Sequence, residues 1–349
     1  MKGDSKEQLL SKLPEQKKFI LLGDVMLGRG VNELIRESPP GYAWGDTLEI
    51  IKSADYSLVN LECALTYHEK NWAKTPKAYY FRADPGVAIA CLKAANISCA
   101  CIANNHILDF QEEGLVDTLN FLDKAGICHA GAGRNLPEAR DPAYRAIGDT
   151  RVGLIAFTDN EPAFAAAEEL SGVDYLPVYL DTEPFNSFLE AVFEAKRACD
   201  ILIVSAHWGP NMEFRLPIEF REAAHRMIAA GADIIHGHSA HNFQGIEIYE
   251  GKPIFYATGD FIDDYAIDPI YRNDWTFIFV LNINGVEMDS IELYPVHISF
   301  AQAMLAKGIE STLIMDRMEA MCGELGTKTA RQKDRISVPI SEEQLRRAG

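Results

Sequence analysis

Basic residues are scarce: 33 Lys and Arg stand against 51 Asp and Glu over 349 residues, a formal net charge of −18. A field of that sign repels polyanions such as nucleic acid and anionic membranes, and no nucleic-acid partner is expected. An anionic substrate would need a local positive centre, which a bound metal ion supplies most simply. Long hydrophobic runs are missing as well. No stretch approaches the roughly 20 apolar residues of a bilayer span. Met1 to Lys18 is polar and charged and lacks the pattern of a secretory signal. The expectation is a soluble, cytoplasmic protein without a membrane span. Cysteine is sparse and odd in number: Cys63, Cys91, Cys99, Cys101, Cys128, Cys199 and Cys322 lie mostly in apolar runs. Free buried thiols are expected, not a disulfide framework or a thiolate metal site.

Also absent are internal repeats, low-complexity tracts and any Pro/Gly/Ser linker able to divide the first 300 residues. The predicted organisation is a polar arm (1–18), one large domain (19–298), and a helical accessory segment with a mobile tail (299–349). Within the domain, short apolar runs alternate with stretches of helical period. Phe19–Leu22, Tyr56–Val59, Ile97–Ile102, Val152–Phe157, Ile201–Ser205, Ile234–Ile235 and Ile254–Ala257 read as buried strands. Pro85–Ala95, Glu112–Ala125, Thr182–Ala198 and Ile218–Ala230 read as helices, two of them ending in Ala-Gly. Alternation of this kind predicts an α/β fold with a layered sheet. Trp275–Leu281 and Asp289–Val296, separated by Asn-Ile-Asn-Gly, predict a late antiparallel hairpin.

Metal-ligand side chains recur where these strands stop: Gly23-Asp24, Asn60-Leu61-Glu62, Asn104-Asn105-His106, His207-Trp208-Gly209 and His236-Gly237-His238-Ser239-Ala240-His241. Loops beyond the carboxyl ends of parallel strands converge on one crevice, so these residues are expected to meet. Five of the nine histidines (207, 225, 236, 238 and 241) fall within 35 residues. Imidazole mixed with Asp, Glu and Asn oxygens favours a transition metal over Mg or Ca. His225 lies within a predicted helix and reads as a packing or surface residue. His236 alternates with Ile235 and reads as a supporting or structural group. His68, His129 and His297 have no partner motif.

Taken in order, Gly23-Asp24-Val25-Met26-Leu27-Gly28-Arg29, Asn60-Leu61-Glu62, Ala103-Asn104-Asn105-His106-Ile107-Leu108-Asp109, Gly131-Ala132-Gly133, His207-Trp208-Gly209, Gly237-His238-Ser239-Ala240-His241-Asn242-Phe243-Gln244 and Gly259-Asp260-Phe261 resemble the motifs of the CapA family of capsule and poly-γ-glutamate synthesis proteins. That family is similar in fold to the calcineurin-like metallophosphoesterases. The resemblance, from about Phe19 to Tyr265, implies a four-layer α/β/β/α sandwich with a metal centre at one edge. It implies one or two divalent ions, Mn, Zn or Fe in preference, with Ca or Mg as alternatives. Asp24 and His241 would serve one position, Glu62 the bridge, and Asn105, His207 and His238 the second. His106 would protonate a leaving group, Asp109 would orient it, and Arg29 would offer a cation to an anionic substrate group.

Three residues depart from the phosphoesterase pattern. Met26 stands where that pattern has histidine, Glu62 replaces a shorter aspartate, and Asp260 stands where related sequences usually carry asparagine. Thioether is a poor ligand for hard or borderline ions, so one metal position is expected to be weakened. The leading expectation is a metal-dependent hydrolase of a phosphoester or a glutamyl-type amide, acting on an anionic or peptide-like small substrate. One alternative is a metal-assisted epimerase of a ribosomally made lasso-type peptide. The other is a non-catalytic partner in a polymer-synthesis complex. No feature of the sequence fixes an oligomeric state.

Overall fold

The computed structural model describes residues 16–215 and 217–341. It is a mixed α/β fold built on a ten-stranded and a six-stranded sheet. In the larger sheet β1 (Gln16–Val25), β2 (Tyr56–Leu61), β3 (Cys99–Cys101) and β4 (Cys128–Ala130) run parallel. The smaller sheet comprises β5 (Ala143–Ile147), β6 (Thr150–Thr158), β7 (Ile201–His207), β8 (Ile234–His238), β9 (Ile246–Tyr249) and β10 (Lys252–Phe255). Its centre, β6, β7, β8 and β10, is parallel, with β5 and β9 antiparallel at the edges. The chain then returns to the first sheet through β11 (Asp260–Ile262), parallel to β1, and the hairpin β12 (Trp275–Asn284) and β13 (Glu287–Ser299). Gly285, with φ +65°, makes the predicted turn.

The period-two pattern of the parallel strands sorts their side chains into distinct cores. Phe19, Leu21, Tyr56 and Leu58 share an apolar cluster with Val152, Leu154, Ile201 and Ile203, so residues of both sheets meet there. Their neighbours Ile20, Leu22, Val59 and Leu61 turn the other way, onto α1 (Arg29–Arg36), α2 (Pro85–Ala94) and α3 (Gln111–Ala125). In the smaller sheet Ile155, Phe157, Leu202 and Val204 pack on α4 (Glu183–Arg197) and α5 (Ile218–Ala230). Strands buried on both faces explain the uninterrupted apolar runs. Each fully buried Leu, Ile or Phe contributes about 1.5–3 kcal/mol, enough in aggregate to tolerate charge buried at the strand ends.

After Ser299 the structure is not purely helical. β14 (Gln302–Leu305), β15 (Ala330–Arg331) and β16 (Ile336–Pro339) join the larger sheet around α6 (Gly308–Glu324). The cause is local: Ile336 and Val338 alternate into the core, as do Ile314, Met315 and Met318 of α6. The expected mobile end falls on residues 342–349, outside the described residues. Of the expected polar arm, residues 1–15 also lie outside, whereas Gln16–Lys18 open β1. All seven cysteines are free, five of them buried. Among the described residues no helix is long and apolar enough to cross a membrane.

Candidate metal centre

Strand register assembles the site. Asp24 on β1 lies beside Asn60 of β2 and Asp260 of β11, and His207 of β7 lies beside His238 of β8. Glu62 follows β2, while Asn105 and His106 follow β3. Two glycines make the close approaches possible. A Cβ on Gly23 would sit 1.8 Å from the Gly259 carbonyl oxygen, and one on Gly237 would sit 2.1 Å from that of Tyr256. Between the β8 histidines and β11, Ser239 and His241 hold positive φ values of +97° and +60°. Strain of that kind is retained where surrounding structure over-determines it, commonly at functional sites.

Two groups of candidate ligand atoms result, each with every atom within 4.8 Å of the others. The first is Asp24, His207 and His238; the second is Asp24, Glu62, His241 and Asp260. Asp24 is therefore the carboxylate common to both, where the family pattern puts Glu62. Asn105 stands one step back, with Oδ1 3.1 Å from His207 Nε2. Met26 is buried in the apolar cluster beneath α1, its Sδ accepting from the Gly28 N–H at 3.1 Å.

The hydrogen bonds behind the histidines fix their protons. His236 Nε2 lies 2.8 Å from the Leu22 carbonyl, which can only accept, so Nδ1 of neutral His236 carries a lone pair. Ser205 Oγ–H then donates to that atom at 3.0 Å and its oxygen accepts from His238 Nε2–H, also at 3.0 Å. His238 Nδ1 is left with a lone pair. With Asn105 Oδ1 assigned toward it, His207 donates from Nε2, which leaves a lone pair on its own Nδ1. These two Nδ1 atoms face each other at 2.9 Å, and Asp24 Oδ1 lies 3.7 Å from that of His238. Burial holds both His207 and His238 well below the ordinary imidazole pKa, in the neutral form that ligates metals.

The second group has the opposite electrostatics. Burial, then the neighbouring Asp260, pushes the Asp24 carboxyl up to about 7. Burial, then Asp24, pushes Glu62 well above the usual carboxylate range. Burial alone would lower His241, but Asp260 at 2.8 Å, with Glu62 and Asp24, holds it well above its ordinary value. Asp24 Oδ2, Asp260 Oδ2 and both oxygens of Glu62 are buried without hydrogen-bond partners. Such atoms cost roughly 1–3 kcal/mol each or more when charged, so the donor set fits a divalent cation.

Beside these groups His106 Nδ1 lies 2.6 Å from Asp109 Oδ2, and its Nε2 lies 4.0 Å from Glu62 Oε1. Phe81 stacks on the imidazole at 3.8 Å, and its N–H donates to Asp109 Oδ2 at 2.7 Å. Burial outweighs Asp109 and lowers the His106 pKa. Lys77, nearly inaccessible, places Nζ 3.0 Å from Asp109 Oδ1 and donates to the Asn105 carbonyl. Arg29, at φ +52°, pairs with Asp264 at 3.2 Å and lies against the rings of Tyr79, Phe81 and Tyr265. His106, His241, Lys77, Arg29 and Tyr265 line one cleft of about 520 Å³.

Two residues of the site carry weaker sequence signals: Lys77 sits in a loop without periodicity, and Asp260, which joins the carboxylates, is marked only by the Gly-Asp-Phe motif. His225 pairs with Glu247 at 3.0 Å and stacks on Tyr249, apart from the site. His297 does have partners, Asp274 and Glu310, but Arg272 pairs with both acids, so that cluster is already neutralised.

Residues 18–265 match the model of the bacterial capsule synthesis protein family PGA_cap, and the chain belongs to that family. It is 30% identical to a probable polyglutamine synthesis accessory protein of Mycobacterium tuberculosis, across 93% of this chain and 96% of that one. It is 31% identical to the PGA biosynthesis protein CapA of Bacillus subtilis over 70% of its own length, spanning 62% of that protein. Among solved structures, a hypothetical protein from Thermus thermophilus superposes with a TM-score of 0.48 at 12% identity, over 80% of this chain and 98% of that one.

Proposed function

We propose that the protein is a divalent-metal-dependent hydrolase of a phosphoester or a glutamyl-type amide, working in capsule or poly-glutamate metabolism. The observation that carries this reading is the His106–Asp109 pair, whose free imidazole atom Nε2 faces Glu62 at 4.0 Å beside two groups of candidate ligand atoms. We read the three apolar cores as a four-layer α/β/β/α sandwich, with the site at the edge where the parallel strands of both sheets end. Asp24, His207 and His238 would hold one ion, and Asp24, Glu62, His241 and Asp260 a second. Mn, Zn or Fe suits the mixed nitrogen and oxygen donors. When bound, the ions would supply Lewis-acid polarisation of the scissile group.

The chain's own groups supply the rest. Asp109 keeps the fixed proton of His106 on Nδ1, so Nε2 is the atom that takes up a proton and delivers it to the leaving atom. Phe81 and Lys77 hold that pair in place by stacking and by ion pairing. Arg29 offers a cation to an anionic substrate group at the mouth of the cleft. The names of the Mycobacterium and Bacillus relatives support the polymer setting. The test is release of nitrophenol from p-nitrophenyl phosphate and of nitroaniline from γ-glutamyl-p-nitroanilide, with Mn, Zn or Fe(II). Release from either that is abolished by EDTA and by His106→Asn supports hydrolysis. No release from either with any of the three metals overturns it.

A further inference from the structure

The mechanism above leaves Tyr265, a polar group of the cleft, unused. Tyr265 lines it, edge-on to His241 at 5.5 Å and beside Phe81 at 5.7 Å. Its phenol oxygen is shielded from solvent and has no hydrogen-bond partner. Burial, then the charges of Glu62, Asp260, Asp263 and Asp24, holds this hydroxyl in its protonated form, well above the ordinary tyrosine pKa. The backbone fixes this pose: Tyr265 N–H donates to Asp263 Oδ1 at 2.7 Å, and the Arg29 guanidinium lies 6.0 Å from the ring.

A buried hydroxyl with no partner is a cost that folding alone does not explain. Phenylalanine would fill the same space, since the contacts of the ring with Phe81, His241 and Arg29 do not use the hydroxyl. The hydroxyl gains a purpose only if something accepts its proton, and ionised neighbours can accept only until a cation claims them. We propose that Tyr265 is a substrate-binding residue whose O–H donates to an anionic oxygen of the ligand held in the cleft, beside Arg29. This rests on the metal-dependent reading above. It assigns the cleft a neutral donor next to His241, in addition to the cations of Arg29 and Lys77.

The test uses the full-length protein, Mn2+ and orthophosphate as the probe, comparing wild type with Tyr265→Phe. Removing an unpartnered hydroxyl should leave the melting temperature of the metal-free protein unchanged or raise it, and Mn2+ affinity should stay within about twofold. Orthophosphate affinity of the Mn-loaded protein, read by calorimetry, should fall about tenfold or more, the loss expected for one hydrogen bond to a charged acceptor. Equal orthophosphate affinity in the two loaded proteins overturns the assignment and leaves the metal reading standing. So does a loaded wild type that binds no orthophosphate, or a metal-free variant that melts well below wild type, which would mark the hydroxyl as structural. Failure of wild type to bind Mn2+ at all would instead overturn both.

Discussion

His207 Nδ1 and His238 Nδ1 lie 2.9 Å apart. With Asn105 Oδ1 facing His207 Nε2 and the Ser205–His236–Leu22 chain holding the proton of His238 on Nε2, both Nδ1 atoms carry lone pairs. Two facing lone pairs repel, and a cation between them and Asp24 removes the repulsion. The same logic, with carboxylates in place of imidazoles, applies to Glu62, Asp24 and Asp260.

Asp24 ties the stability of the metal-free protein to pH. Its carboxyl rises from an ordinary 3.8 to about 7 on folding. Between those values the folded state holds a proton that the unfolded state has released, so its contribution to stability falls as pH rises from about 4 to about 7. His207 and His238, lowered by burial, act in the opposite sense below their ordinary 6.5. The informative quantity is therefore a difference. In urea unfolding of metal-free protein, Asp24→Asn should gain on wild type by about 4 kcal/mol across that window. A difference that does not change with pH contradicts the placement of Asp24.

His106→Asn should keep its metal content and lose about 100-fold or more in turnover, the range for removing a general acid. Metal analysis and steady-state kinetics on the same preparation check both halves. Full turnover in that variant would return His106 to a purely structural role.

Lys77→Met removes the cation from a fully buried Asp109 oxygen. Breaking one side of a buried pair costs about 3 kcal/mol or more, because the other charge stays buried. Chemical denaturation should show that loss, and the double variant Lys77→Met with Asp109→Asn should recover part of it. A single variant as stable as wild type would mean that Asp109 has another partner.

The alternating elements and most of the candidate site were legible because both rest on local rules. Apolar runs ending in Asp24, Asn60, His207 and His238 announced parallel strands with polar ends, and parallel topology does the rest. What the sequence could not convey was which carboxylate lies at the centre. The resemblance implies Glu62 at the bridge, whereas Asp24, set by register beside both Asn60 and Asp260, is the carboxylate shared by the two groups of candidate ligand atoms. Lys77 was invisible for a different reason. Its role depends on a loop brought to Asp109 across 32 residues of chain, which no periodicity records. The segment after Ser299 read as helix because α6 dominates it, while its strands are only two to four residues long.

Metal content tests the central claim most directly. Protein purified without chelator and supplied with Zn or Mn should carry at least one divalent ion per chain by elemental analysis. The double variant His207→Ala with His238→Ala, still folded by circular dichroism, should carry one fewer. A wild type that takes up no ion, or a folded double variant with unchanged stoichiometry, would contradict the assignment of Asp24, His207 and His238 as a metal position.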